Sequence, residues 1–540
     1  MKKSLLSFLL LTFSFLDLFA QVPQKLWDSF YNGAFNGKDE SNSVVTDNTG
    51  NVYVTGISYQ ASSQGNFTTV KYNSSGSEQW VDHSGSSGTG VNNKGVKIVL
   101  DKWQNLYAVG TVASNAGDIA VVKYNANGKI WSHNYEPYSF GSDIDFGVDI
   151  CTDSSGNIYF TGQITSLSGN LWDSYFVKCD SAGTKINEDD YTSASGDDFP
   201  GGVAVTPGGN FFGLTNSYNF FGSQTYDIST INYLNNGNHN WISNYNGPGN
   251  GFDYGTFIKA DDFNNQYICG TAFSGTNDDM VVMKQNQYGT RLWATPYNGT
   301  ANGNDTAVST TWMPNGFVAV TGKSKEILNG STMDAFVTMM IDSGTVVWTQ
   351  KYFGVDSLGA APSQMATDAQ GNIYICGFEN LTGGTKNGCI LKYDTNGNLL
   401  WNISYDAGMN LNEKFNSIIL DFNNDILVTG QTFTSASNAN YVTVKYGNGA
   451  TMINENLISE MNRSSIYPNP AKAGTAVYIN ILHASSKIPF TISDVSGKIV
   501  QRGNINDNYF YLINQIDPGT YILEFISDMK SIHKRILILE

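Results

Sequence analysis

Apolar and polar residues alternate along this chain in a short phrase that keeps returning: "DNTGNVYVTG" from Asp47, "DKWQNLYAVG" from Asp101, "DSSGNIYFTG" from Asp153, "DAQGNIYICG" from Asp368 and "DFNNDILVTG" from Asp421. Each copy opens on turn-forming polar residues and runs into a few bulky apolar ones, the signature of a strand entered from a tight turn. The residues that close the copies are Gly56, Gly110, Gly162, Thr215 (in the degenerate "TPGGNFFGLT"), Gly270, Gly322, Gly377 and Gly430, spaced 52 to 55 residues apart. Eight units result. A second phrase follows in phase, as in "DIAVVKYNANGKIW" ending at Trp131 and "NGCILKYDTNGNLLW" ending at Trp401. There, alternating strands flank an Asn/Asp-Gly turn, a strong hairpin signal. Each unit thus holds about four strands and one placed Trp, which predicts the blades of a β-propeller rather than an open β-solenoid with its shorter repeats.

The Trp register predicts how the ring closes. Trp80, Trp131, Trp241, Trp293, Trp348 and Trp401 mark the fourth strand, Ile186 is expected at that place in the third unit, and the last unit runs out at "YVTVKYGNGATM" without a Trp. The missing strand lies at the other end of the chain, in "QKLWDSFYNG", where Trp27 precedes Tyr31 as Trp401 precedes Tyr405. The expected fold over residues 21–447 is therefore an all-β, eight-bladed propeller of four-stranded blades, its N-terminal strand completing the last blade. Closure of this kind removes the open edges of a large antiparallel assembly.

Beyond Tyr446 the phase is lost. Residues 448–464 read as a polar linker, and residues 465–540 carry short strands punctuated by Pro and Gly, suited to a small Ig-like β-sandwich. Residues 1–20, with Lys2 and Lys3 ahead of an apolar run ending in Ala20, read as a secretory signal peptide. No later apolar run is long enough to span a bilayer, so no transmembrane segment is expected in the mature chain.

Composition sharpens this picture. A chain of 540 residues exceeds a single core, charged residues make up only 14%, and Gly (56), Tyr (30) and Phe (30) are abundant, as expected of strands joined by tight turns. The formal charge is −17, while residues 461–540 hold eight Lys/Arg against six Asp/Glu, so the acidity belongs to the propeller. Nucleic acid and anionic membranes are disfavoured as partners. The five cysteines, Cys151, Cys179, Cys269, Cys376 and Cys389, fall in strand-like runs and are expected as small buried hydrophobes. Cys376 and Cys389 alone could face one another across a hairpin, and without a C-x-x-C pair a structural zinc site is not expected.

The phrase D-x-x-G-N-[IV]-Y-[VIF]-x-G followed by the Lys-Tyr-Asp/Asn-x-x-Gly…Trp hairpin resembles the bacterial β-propeller repeat of the SBBP type, across residues 21 to about 447. The fourth and sixth units depart from it, and that family's name refers to seven blades where eight are counted here. The tail resembles the type A C-terminal sorting domain of the type IX secretion system of Bacteroidetes. That likeness rests on Tyr467, Pro468, Asn469 and Pro470 at its start, Asp494 with Gly497 and Lys498 in "DVSGKIV", Gly519, Thr520 and Tyr521 before the penultimate strand, and Lys534-Arg535 in the last. It implies Sec export to the periplasm, recognition of the tail by the type IX machinery, and a mature protein released or held on the outer cell surface.

Chemistry is harder to find. The chain has no G-x-S-x-G elbow, H-E-x-x-H or P-loop, and His83, His133 and His239 are expected as exposed residues of outer strands. One constellation stands out. Eight residues before each turn lie Asp39, Asn93, Asp145, Asp253, Asp305, Ala360 and Glu413, with Asp198 at the corresponding place in the fourth unit. In a propeller these positions ring one mouth of the central channel, joined by Phe146, Phe199 and Tyr254. Each carboxylate could cap its own loop by accepting backbone N–H bonds. Together they could instead bind a cation or a sugar, hydroxyls on carboxylates and faces on rings. No cofactor is expected, and calcium is the one candidate ion, because loops such as "DTNGN" at Asp394 superficially resemble calcium loops. The favoured expectation is a non-catalytic secreted binding or adhesion module whose ligand is a glycan or a surface protein. The alternatives are a hydrolase or lyase acting on extracellular polysaccharide, and a structural scaffold for surface proteins.

Overall fold

The computed structural model describes residues 22–447 apart from 61–64, 86–92, 113–116, 138–144, 167–170, 194–195, 219–224, 235, 314–315 and 409–410. In the tail it describes residues 466–467, 471–472, 474–479, 488–494, 498–505, 509–512, 516–527 and 530–539. The sequence reading of residues 1–20 as a signal peptide lies outside the described residues. The chain divides into two compact units, Met1–Gly449 and Ala450–Glu540.

The first unit is a ring of eight four-stranded antiparallel blades. Blade 1 runs Glu40–Thr46, Val52–Tyr59, Gly65–Tyr72 and Glu78–Ser84, and the next six repeat that order. Blade 8 takes three strands from the end of the unit, Glu413–Leu420, Ile426–Phe433 and Ala439–Gly447, and its fourth, Gln24–Tyr31, from the beginning. Trp27 pairs with Lys445 and Tyr31 with Tyr441, which is the expected closure.

Apolar packing follows the seams between blades, with one buried cluster at each of the eight. The second strand of each blade is buried on both faces, which is why "NVYVTG" and its copies read as nearly continuous apolar runs. The closing Gly has a steric cause. A bulge in the first strand turns a backbone carbonyl toward it, so a Cβ on Gly56 would lie 2.1 Å from Glu40 O and one on Gly270 1.9 Å from Tyr254 O. The Asp turns also behave as their chemistry dictates. Asp47 Oδ1 accepts the N–H groups of Thr49 and Asn51, both at 2.9 Å, while Oδ2 accepts from Asn51 Nδ2 and the Tyr53 hydroxyl.

One register differs from the sequence reading. Lys178 pairs with Asn187, as Lys71 pairs with Trp80 and Lys123 with Trp131, so Asn187 and not Ile186 stands at the Trp position of blade 3. The bulge after Lys178 recurs in the other blades, and Asn187 follows Lys178 by nine residues as Trp80 follows Lys71, whereas Trp131 follows Lys123 by eight, the spacing that would give Ile186. The five cysteines are free, and Cys389 lies opposite Gly377 rather than Cys376.

The second unit contains a three-stranded sheet of Ile466–Tyr467, Ala476–Ile479 and Tyr509–Tyr511, and a five-stranded sheet of Ala471–Lys472, Lys530–Leu539, Gly519–Ser527, Ile488–Asp494 and Ile499–Ile505. Val477, Phe490, Ile492, Ile505, Leu512, Tyr521 and Leu523 are buried. Lys498 N–H donates to Asp494 Oδ1 at 3.0 Å, and the Tyr521 hydroxyl donates to Asp517 O at 2.9 Å. Tyr467 pairs with Tyr478 and Gly519 with Ile538, whereas Pro468, Asn469, Pro470 and Gly497 lie outside the described residues.

Candidate functional site

First strands of neighbouring blades contact one another around the ring and so wall its central channel. They are stitched together by side chains that reach the next blade's backbone. Ser43 Oγ accepts from Ile98 N–H at 3.3 Å, Asp149 Oδ2 from Val203 N–H at 3.0 Å, and Gln364 Oε1 from Ile418 N–H at 2.8 Å. Asp149 also pairs with Lys97 of blade 2, and the bare Cα of Gly202 leaves its carboxylate room. Lys259 of blade 5 donates to Thr311 Oγ1 at 3.1 Å, and burial followed by repulsion from Lys97 lowers its pKa.

At one mouth of this channel stand the carboxylates singled out in the sequence. Asp39, Asp253 and Asp305 are fully buried, and each accepts two backbone N–H bonds. The donors to Asp39 are Gly33 and Tyr59, those to Asp253 are Gly247 and Phe273, and those to Asp305 are Gly299 and Lys325, at 2.5–2.8 Å. One donor of each pair comes from the loop leading into the first strand and the other from the second strand, so the carboxylate pins that loop to the blade. Asp145 accepts from Thr165 N–H at 3.0 Å, Asp198 from Ser193 N–H at 2.5 Å, and Glu413 from the Thr432 hydroxyl at 3.1 Å. Asn93 instead donates, from Nδ2 to Gly65 O at 3.2 Å. Blade 7 has Ala360 at this place, and Glu379, opposite it on the second strand, accepts Val355 N–H and the Tyr352 hydroxyl. Position alone could not show that substitution.

Burial makes these acids reluctant to ionise. It raises Asp39 and Asp305, pushes Asp198 and Asp253 up to about 6, and takes Glu413 to about 7, against hydrogen bonds that act in the opposite sense. Among the described residues no three His, Cys, Asp or Glu side chains converge as a metal ion would require.

The aromatic residues beside the carboxylates form a belt of two groups over blades 3 to 5. Phe146 lies 6.1 Å from Trp172, and Phe199 lies 5.5 Å from Tyr226. Tyr226 stacks on Tyr254 at 5.8 Å and meets Tyr218 edge-on at 5.6 Å. Phe252 and Tyr254 are nearly parallel, 6.4 Å apart with 11° between their planes, and remain 50% and 36% exposed. Asp197 joins the two halves, accepting Trp172 N–H at 2.8 Å and the Tyr226 hydroxyl at 3.4 Å. Phe146, Phe199 and Tyr254 were legible as followers of the carboxylates. Trp172, Tyr218, Tyr226 and Phe252 were not, although "FDY" around Asp253 placed one of them two residues from Tyr254.

Fold and mouth together define a β-propeller: a closed all-β ring with an aromatic belt, continued by a second β unit. Residues 465–539 match the family model described as Secretion system C-terminal sorting domain. The tail is therefore an address read by the type IX secretion machinery, and the chain is exported to the outer cell surface or secreted. No helix among the described residues is long and apolar enough to cross a membrane. No curated protein matches the chain.

Solved structures show likeness in fold. PorZ of Porphyromonas gingivalis, described as an essential bacterial surface component of the type-IX secretion system, aligns at 13% identity with a TM-score of 0.39, over 92% of this chain and 65% of that one. This chain thus spans just under two thirds of PorZ. The polysaccharide lyase Uly1 aligns at 12% identity with a TM-score of 0.40, over 77% of this chain and 92% of that one. The α-L-arabinanase of Penicillium chrysogenum, complexed with arabinobiose, aligns at 11% identity with a TM-score of 0.34, over 59% of this chain and 99% of that one. No role is carried over at these levels of likeness.

Proposed function

We propose that the propeller is a surface binding or adhesion module whose aromatic belt takes the rings of a glycan. The observation that supports this most is the exposed, nearly parallel pair Phe252 and Tyr254, backed by Tyr226. Rigid, partly exposed rings present flat apolar faces at little entropic cost, and the C–H face of a sugar is a natural counterpart. Asp197 and Asp278, beside the belt and partly exposed, are acceptors for hydroxyl groups. The acidic propeller favours a neutral sugar over an anionic one.

In this reading the mouth carboxylates Asp39, Asp145, Asp198, Asp253, Asp305 and Glu413 act behind the surface, fastening the loops that carry the rings. Binding is supported over acid–base catalysis because those carboxylates are turned into their own loops. The test is a glycan array probed with the whole propeller, with hydrolysis products monitored alongside. Phe252→Ala combined with Tyr254→Ala should weaken binding at least tenfold while leaving the melting temperature nearly unchanged. A wild-type protein that binds no glycan, or a double variant that binds as well as wild type, overturns the proposal.

A further inference from the structure

Charge is distributed unevenly along the channel wall. The bulge in each first strand sets Ser43, Lys97, Asp149 and Phe257 at one level, and Val45, Val99, Cys151 and Lys259 two residues on at the next. Across all eight first strands, the charged residues at these two levels are Lys97, Asp149 and Lys259. Lys97 and Asp149 pair with one another. Lys259 is left as an uncancelled positive charge in the wall of an otherwise acidic propeller.

Lys259 is exposed to solvent yet surrounded by protein. Its ammonium donates to Thr311 Oγ1 of blade 6 at 3.1 Å, and among the described residues no carboxylate pairs with it. The charge it senses is that of Lys97 in blade 2, with blades 3 and 4 between them. Side chains so far apart around the ring can meet only across the lumen, so both lysines reach into it. A cation partly withdrawn from bulk water costs free energy unless a counter-charge meets it. Lys97 has Asp149, whereas Lys259 has a neutral hydroxyl, which occupies one of its three N–H donors and leaves two for a ligand.

We propose that the central channel binds a small oxyanion of the phosphate or sulfate kind on Lys259, with Lys97 facing it across the lumen. Protein walls around the lumen strengthen attraction between a fixed cation and a mobile anion. The carboxylates at the mouth do not oppose it, because Asp39, Asp253 and Asp305 are turned into their own loops, and Asp149 is engaged by Lys97 and the Val203 N–H. Lys259 stands five residues beyond Tyr254 on one strand, about 16 Å along it. The oxyanion site is therefore separate from the aromatic belt and does not rest on the glycan reading.

The test titrates inorganic phosphate, and separately sulfate, into the full chain by calorimetry, with sodium chloride holding the ionic strength constant and the melting temperature read alongside. Saturable binding of one phosphate per chain is expected, with a melting temperature above that in chloride alone. Lys259→Met should weaken binding at least tenfold and abolish the shift, while in chloride it should melt no lower than the wild type, since it removes a charge that Lys97 repels. Lys259→Arg should keep both binding and shift. Phe252→Ala combined with Tyr254→Ala should bind phosphate as the wild type does. The proposal is overturned if the wild type shows no saturable binding, if chloride gives the same melting temperature as phosphate, if Lys259→Met binds as well as the wild type, or if the aromatic double variant loses phosphate binding.

Discussion

Trp27 sits opposite Lys445 in one antiparallel ladder, so strands from the two ends of the propeller share its last blade. The Trp27 indole then reaches past its own sheet to the Ser74 carbonyl of blade 1, locking the seam where the ring closes. Truncating it should therefore act on the whole ring. Trp27→Ala is expected to cost about 3 kcal/mol, the low end for a Trp truncation because the side chain is only half-buried. Deleting Gln24–Tyr31 should leave Ala439–Gly447 as an unpaired edge and cause association. Urea unfolding and sedimentation measure the two outcomes.

The closing glycines predict a second effect. A Cβ on Gly270 would fall 1.9 Å from the Tyr254 carbonyl, which belongs to backbone and cannot swing aside. Gly270→Ala should cost at least about 3 kcal/mol, more than ordinary overpacking. Thr215→Gly, at the one unit that already carries a side chain there, should change stability far less by the same calorimetric measure.

Stability should also depend on pH in a way the buried acids dictate. Asp198 and Asp253 titrate near about 6 in the fold and Glu413 near about 7, all above the usual carboxylate range, with burial as the main cause. The folded chain therefore holds protons that the unfolded chain has released, so stability falls as pH rises from about 4 through 7. Glu326 acts in the opposite sense. Burial alone would raise it, but hydrogen bonds from Lys351, Thr300 and Tyr297 bring it down to about 2, a contribution lost as pH falls below about 4.5. Melting temperature should peak between about pH 4 and 5, and Glu413→Gln should flatten the decline above the peak. A melting temperature that rises steadily to pH 8 contradicts this.

The channel wall offers an asymmetric test. Asp149 both pairs with Lys97 and accepts the Val203 N–H, so Asp149→Ala strands a cation and a buried amide together. A loss of about 2–3 kcal/mol is expected. Lys97→Met leaves the amide satisfied and should cost under about 1 kcal/mol, since the lysine is partly exposed. Equal losses in denaturant titrations would show that the ion pair, and not the amide, sets the cost.

Much of this fold is legible in the sequence because its rules are local. Asp-x-x-Gly turns, alternating strands and a Trp every fifty-odd residues need only neighbours along the chain to state them, and together they fix blade number and closure. Asn187 escaped because the turns differ in length: Trp80 follows Lys71 by nine residues and Trp131 follows Lys123 by eight, and only the paired register shows that blade 3 keeps the nine-residue spacing. The mouth carboxylates could be located, but their engagement could not, since the donors Gly33 and Tyr59 are brought to Asp39 only by the folded loop and the second strand. The belt is a further step removed: Trp172, Tyr226 and Phe252 come from three separate stretches that only the curvature of the ring sets side by side.

The split last blade also has a consequence in time. Gln24–Tyr31 leaves the ribosome early, yet its partner Ala439–Gly447 emerges only after every intervening blade, so the latch cannot shut until the whole circle has been threaded. Such remote pairing is slow to form, and it makes completion of the propeller a single late event. A chain destined for export thereby has an interval in which it is finished in length but still unsealed.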